Sequence, residues 1–132
     1  MASIFELEAP VFGGKALGGM TYAAPTATGT LTVAQTVNAI LETDQSAAIT
    51  LTTPTAALIK AAFPSAVAGT SFQLIVVNSG SNHAVTIGGG TDVTVVGVAT
   101  VAQFASKIFV GYFVTATTIK LFGLGSTAAA QA

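Results

Sequence analysis

The chain has 132 residues, which is enough for one domain of ordinary size. Apolar residues make up 52% of the sequence and charged residues only 7%, with a net charge of −1. This composition excludes a disordered chain, because disorder accompanies low hydrophobicity and high charge. It also leaves too little charge to cover a soluble monomer, whose surface carries about a quarter to a third charged residues. We therefore expect neighbouring subunits to bury much of the exterior.

Several classes of protein are disfavoured by the residues that the sequence lacks. It has no Arg and four scattered Lys, so it cannot cluster cations against nucleic-acid phosphates. It has no Cys, which excludes disulfides and thiol-bound metals. The longest unbroken apolar run, Ile108–Val114, falls far short of the roughly 20 residues of a membrane-spanning helix. Glu6 and Glu8 lie where a secretory signal would carry positive charge. We expect a subunit made in the cytoplasm, with no nucleic-acid or membrane partner.

The first 30 residues differ from the rest of the chain. Apolar side chains are scattered among Gly pairs and two Pro, and no helical or strand period persists. We predict that residues 1–30 form an extended arm that binds a partner through its apolar side chains; the alternative is a leader with one short strand. The candidate anchors are Ile4, Phe5, Leu7, Val11, Phe12, Leu17 and Tyr22.

The chain becomes regular from Leu31 onward. Residues 31–43 mix a helical stripe with Thr and Asn, which predicts a short turn or helix and then a strand around Asn38–Glu42. Ala47–Thr53 alternates apolar and polar residues, as a half-buried strand does.

A helix is predicted near residues 54–63. Thr53 suits the N-cap, and Pro54 suits the first helical position because its missing N–H costs nothing there. Pro64 is expected to end the helix, since the residue before a proline resists the α conformation.

Everything after Gly69 has the pattern of strands. Ser71–Asn78, a short polar loop and residues 83–87 predict a β-hairpin. The spacing of these short strands predicts a single antiparallel β-sandwich, jelly-roll-like, over residues 31–125, followed by a low-complexity tail at 126–132. The later strands are expected at Asp92–Val96, Ala99–Ala105, Lys107–Val114 and Thr118–Leu124.

The strand Lys107–Val114 is apolar on both faces. Phe109 and Phe113 alternate with Ile108, Val110, Tyr112 and Val114. One face can fill the core, and the other needs a cover supplied by the helix, the arm or another subunit. Five phenylalanines lie inside predicted strands, and most of them are expected in the core: Phe72, Phe104, Phe109, Phe113 and Phe122.

No group of residues predicts catalysis, a cofactor or a metal site. His83 is the only histidine and has no neighbouring carboxylate to orient it, so a solvated loop residue is favoured over a general base. Glu42 and Asp44 would share one face of a strand, but two carboxylates alone make a poor Ca²⁺ site. The Gly-rich segment Ile87–Asp92 lacks the Lys and the following helix of a phosphate loop, which favours a β-turn. We predict that the protein is not an enzyme and has no small-molecule substrate.

Two segments carry a resemblance to a known family. TLTTPTAALIKAAFP (50–64) and GTSFQLIVVN (69–78), within a run from Leu31 to Gly123, resemble the small jelly-roll decoration, or cement, proteins of tailed bacteriophage capsids. The resemblance implies a homotrimer on the outer surface of the virion, made in the host cytoplasm. There it would stabilise contacts between major capsid proteins, with the arm reaching neighbours.

The alternative function is a receptor- or glycan-binding head of a phage fibre or spike. An enzyme assembled from distant residues and a bacterial surface module are less favoured, because ionisable side chains are few and no export signal is present.

Overall fold

The computed structural model describes residues 11–12, 15–16, 19–80 and 82–125. This part of the chain is mainly β, with one short helix, α1, at Ala56–Ala62 between β6 and β7. The strands are β1 Val11–Phe12, β2 Lys15–Ala16, β3 Thr21–Ala23, β4 Gly29–Thr30, β5 Ala39–Thr43, β6 Ile49–Thr52, β7 Ser71–Asn78, β8 Val85–Gly88, β9 Val93–Val96, β10 Thr100–Val101, β11 Ala105–Thr115 and β12 Thr118–Leu124.

Two sheets form a β-sandwich, as predicted. One sheet has six strands in the order β3-β5-β7-β11-β12-β9, and the other has four in the order β10-β8-β6-β4. Strands β1 and β2 form a separate antiparallel pair. The sheets are mixed and not wholly antiparallel, because β3, β5 and β7 run parallel, as do β4, β6 and β8.

The path of the chain explains the parallel pairs. From β3 to β11 every successive strand lies in the opposite sheet. Parallel neighbours need a crossover connection, and here a strand of the other sheet supplies it. Within the two sheets of the sandwich, among the residues that the structure describes, successive strands form an antiparallel hairpin at one place, where β11 turns into β12 through Thr115–Thr118. Both strands of this hairpin have bounds close to those that the sequence pattern predicted.

One hydrophobic core lies between the two sheets. In β11, Phe109 and Phe113 point inward and are buried, whereas Ile108 and Tyr112 point outward and are exposed. The predicted division of this strand into two apolar faces is confirmed. The core is completed by Ile59 of α1 and by residues from both sheets, including Leu41, Leu74, Leu121, Leu51, Val85, Ile87 and Val101.

The start of α1 differs from the prediction. Thr55, and not Thr53, is the N-cap, and its hydroxyl accepts a hydrogen bond from the Leu58 N–H at 3.1 Å. The Thr53 hydroxyl is occupied elsewhere: it donates to the Pro54 carbonyl and accepts from the Gly90 N–H. Because Thr53 is buried and bonded to the Gly-rich loop, the helix begins two residues later.

The predicted hairpin of Ser71–Asn78 with residues 83–87 is wrong. β7 has its predicted bounds but pairs with β5 and β11, while β8 pairs with β6 and β10 in the other sheet. The buried Asn78 side chain stabilises the crossing, because its amide donates to the carbonyls of His83 at 2.8 Å and Val101 at 3.1 Å. A short Gly-containing loop suits a turn between sheets as well as one within a sheet.

The predicted strand Ala99–Ala105 is also interrupted. Thr100–Val101 pairs with β8 in the four-stranded sheet, and Ala105 already belongs to β11 in the six-stranded sheet. Phe104 makes the change of sheet with a φ of 55°, the left-handed conformation. It is 73% exposed and does not belong to the core, whereas Phe72, Phe109 and Phe113 do, so most of the strand phenylalanines are not exposed.

The predicted arm, residues 1–30, contains two strands of the sandwich. β3 extends the six-stranded sheet at β5, and β4 extends the four-stranded sheet at β6. Sequence periodicity could not show them, because strands of two or three residues are too short to display one. Residues 1–10 and the predicted tail at 126–132 lie outside the described residues.

Gly111 provides a test of core packing. Phe72 lies against it and meets the Phe113 ring edge-on, at a centroid distance of 6.4 Å. A Cβ on Gly111 would overlap the ring carbons of Phe72. We expect Gly111→Ala to lower the free energy of unfolding by about 1–3 kcal/mol, measured by urea denaturation. Gly29→Ala is the matched control, because no atom lies within 4 Å of its Cβ position; equal stability of the two variants would contradict this packing.

Candidate interaction surface

A row of apolar side chains crosses the outer face of the six-stranded sheet. The strand register places Tyr22 beside Ile40, Ile40 beside Ile75, Ile75 beside Ile108, and Ile108 beside Leu124. These five residues, the apolar row, come from β3, β5, β7, β11 and β12. Tyr22, Ile108 and Leu124 are 62%, 43% and 50% exposed. The outward face of β11 is therefore part of a wider apolar surface that the described residues do not cover.

A second line of residues lies beside the apolar row. Val110 pairs with Phe122, and Phe122 pairs with Val96 of the edge strand β9. Tyr112 follows one step further along β11 and is 43% exposed. Contiguous exposed apolar surface of this kind is a feature of sites where proteins bind other proteins.

Two opposite charges border this outer face. Glu42 follows Ile40 on β5, and Lys120 precedes Phe122 on β12; both are exposed. The third charged residue on these strands, Lys107, points inward, is 5% exposed and lies 3.4 Å from the Gly125 carbonyl. Charge is thus kept to the margin of the apolar surface.

Glu42 is held in place by the first residue of the apolar row. The Tyr22 hydroxyl donates a 2.6 Å hydrogen bond to the Glu42 carboxylate. This bond raises the pKa of Tyr22 above its usual 10.0, with smaller contributions from desolvation and from the carboxylate charge. Because the pKa is raised on folding, any stability from the bond is present below pH 10.0 and is lost as pH rises through the raised value.

Phe104 is the functional candidate that sequence reasoning missed. Its aromatic ring is the most exposed large hydrophobic side chain of the described residues, and its backbone N–H donates to the Gly80 carbonyl at 3.2 Å. A bulky residue with positive φ is uncommon and marks a position held in place by its surroundings. The surrounding sequence, VAQFASKIF, carries no signal for this conformation, because Phe104 looks like one more strand residue.

A pocket of about 230 Å³ lies beside the end of α1. Its apolar lining includes Ile59, Phe72 and Phe113, and Phe63, which is 44% exposed, forms part of it. Hydroxyl and amide groups also line it: Asn38, Ser65, Thr70 and Ser71.

The titratable residues considered from sequence do not converge on one site. His83 is half-buried in the loop before β8, whereas the Gly-rich segment lies at the other end of β8. Glu42 and Asp44 are both exposed near the end of β5. In the described part of the chain, no three residues of the types that bind metals are grouped to hold an ion.

Buried polar groups near His83 hold the sheets together. Its carbonyl accepts from Gln45 at 2.9 Å as well as from Asn78. The Thr43 carbonyl accepts from the N–H and the hydroxyl of Ser79, at 2.9 and 3.1 Å. These bonds join the end of β5 to the crossing loop, which is a structural task.

The predicted arm anchors fall into three groups. Ile4, Phe5, Leu7 and Leu17 lie outside the described residues. Val11 and Phe12 form β1, for which the backbone alone is described. Tyr22 lies on the sheet as the first member of the apolar row.

No protein family, curated protein or solved structure matches the chain. Among the residues that the structure describes, no helix is long and apolar enough to cross a membrane.

Phe104 gives a prediction about backbone strain. Asn tolerates positive φ better than Phe does, so Phe104→Asn should leave the free energy of unfolding unchanged or raise it by up to about 1 kcal/mol. Thermal denaturation followed by circular dichroism measures this. Gln103→Asn, at an exposed neighbour without positive φ, is the control. A Phe104 variant that unfolds several degrees below this control would indicate that the ring supports the fold.

Proposed function

We propose that this chain is a structural subunit, not an enzyme, and that it packs through the outer face of its six-stranded sheet against further copies of itself. The observation that carries this proposal is the apolar row across five neighbouring strands. In a sequence with 7% charged residues, burying this face stabilises an assembly in proportion to the apolar area removed from water. The exposed Tyr22 and Tyr112 on this face are of a residue class that dominates binding energy at interfaces.

We further propose that the assembly is a homotrimer that decorates the outer surface of a bacteriophage capsid and binds the major capsid protein. The support is the resemblance of residues 50–64 and 69–78 to capsid decoration proteins, together with the sandwich fold. A decoration protein acts by many modest contacts repeated around a shell, and repetition multiplies their effect. The apolar residues of the arm that precede β3 are the proposed attachment to the shell.

Ile108 lies in the middle of the apolar row and tests self-association. We expect Ile108→Thr to weaken self-association at least tenfold, as truncation of a central anchor typically does, and to change monomer stability by less than about 1 kcal/mol. Sedimentation equilibrium gives the dissociation constant and the number of copies. Val67→Thr, at an exposed residue outside the row, is the matched control. A wild-type protein that stays monomeric at high concentration would contradict the proposal.

Binding to a shell is tested separately from self-association. We expect the protein to co-sediment with virions or empty capsids at a fixed ratio to the major capsid protein. Deletion of residues 1–18 stops short of β3. The shortened chain should therefore still self-associate but bind capsids more weakly. Capsids that neither bind the protein nor gain thermal stability from it would exclude the decoration role while leaving self-association intact.

A glycan-binding head remains the second proposed function because of the pocket beside α1. Its half-exposed Phe63 and its polar lining provide a stacking surface and hydrogen-bonding groups. Phe63→Ala should then abolish binding on a glycan array, while Leu58→Ala, at an exposed helix residue outside the pocket lining, should not. An array without any signal from the wild-type protein would exclude this function.

A further inference from the structure

We propose that Glu42 of one copy forms an ion pair with Lys120 of the next copy across the outer face, and that this pair sets the alignment of the subunits. The inference rests on the proposed self-association and adds to it a specific partner for each charge. The partner proposed for the outer face is a second copy of this chain.

The strand register fixes where the two charges lie. Glu42 pairs with Val77, and Val77 pairs with Ser106 on β11. Lys120 pairs with Tyr112, six residues further along β11. The two charges are therefore separated by about 20 Å along the strands and by three strand spacings, about 14 Å, across them.

This separation places the charges at diagonally opposite corners of the apolar surface. The midpoint of the diagonal falls between β7 and β11, close to Ile75, Ile108 and Val110. A contact centred there would bury the most apolar part of the face and leave both charges at its rim. Rim charges steer association and fix register more than they add affinity.

A single rotation axis can place each of the two charges beside the opposite charge of the next copy. Consider a rotation axis that lies parallel to the sheet and perpendicular to the diagonal between Glu42 and Lys120. Rotation about it brings Glu42 of one copy level with Lys120 of the next, whether the assembly closes with two copies or with three. Every copy then gives one Glu42 corner and one Lys120 corner to the assembly.

Three other polar groups lie close to the two charges: Tyr22, Asp44 and Asp92. Tyr22 holds the Glu42 carboxylate from one side through the 2.6 Å hydrogen bond, which limits the conformations that the carboxylate must lose on pairing. Asp44 lies in the loop after β5 and adds negative charge near the Glu42 corner. Asp92 lies in the turn before β9, two residues before Thr94, the partner of Lys120, so the Lys120 corner also carries one negative charge.

Charge reversal tests the pair. We expect Glu42→Lys and Lys120→Glu each to raise the dissociation constant at least about tenfold, because each places like charges together. The double variant E42K/K120E rebuilds the pair in reverse and keeps the net charge at −1 (−1 + 2 − 2), so it should return to within about threefold of wild type. An equimolar mixture of the two single variants should associate more tightly than either variant alone.

The controls separate charge from folding and from the Tyr22 bond. Circular dichroism melting of each variant detects loss of fold, and Tyr22→Phe removes the hydrogen bond while keeping the Glu42 charge. Sedimentation equilibrium at two salt concentrations should show the wild-type contact weakening with added salt and the Tyr22→Phe protein behaving similarly.

The outcomes distinguish this inference from the proposed function. Weak association of both single variants with recovery in the double variant supports the pair. If the charge variants associate like wild type, or the double variant fails to recover, while Ile108→Thr still disrupts association, the pair is wrong and the self-associating face stands. A protein that is monomeric in every form overturns both.

Discussion

The architecture depends on one strand, β11, that is apolar on both faces and lies within the larger sheet. Its inward residues Phe109 and Phe113 fill the space between the sheets, and Gly111 between them leaves room for the Phe72 ring. Period-two alternation then forces Ile108 and Tyr112 to the opposite side. A chain that builds its core this way acquires a second apolar surface on the same strands, and that surface persists until something covers it.

The change of sheet after almost every strand determines which residues reach that second surface. Because β3, β5 and β7 arrive in the same sheet from the same direction, they lie side by side and in parallel register. This register brings Tyr22, Ile40 and Ile75 into one line although they are distant in sequence. Single residues stabilise the connections between the sheets. The side-chain amide of Asn78 does so at one connection, and the left-handed backbone of Phe104 does so at another. The outer face therefore results from the order in which the strands enter the sheet, and no single segment of the chain builds it.

Sequence patterns identified the strands well and their partners poorly. Thr118–Leu124 and Ser71–Asn78 have the bounds that alternation and turn residues predicted, because those signals are local. The pairing of β7 and β8 failed because a short Gly-containing loop fits a hairpin and a crossing equally, and the buried bonds of Asn78 that decide between them involve residues far apart. Of the candidate surface, the apolar side of β11 was predictable from its composition. The positions of Tyr22 in β3 and of Phe104 at the change of sheet could not be predicted from local patterns, since they follow from tertiary pairing and from backbone strain.

Because charged residues are scarce in this protein, the few that lie on the sheet have a large influence on the orientation in which its outer face can associate. An apolar face alone associates without a preferred orientation, since the hydrophobic effect is non-directional. Orientation must come from polar groups at its margin, and on the strands of this sheet the outward charges are Glu42 and Lys120. In the proposed contact between two copies, sliding one copy along the other or turning it within the plane separates these opposite charges while the apolar contact persists. In the proposed assembly, affinity therefore comes from the apolar row and alignment from the two charges.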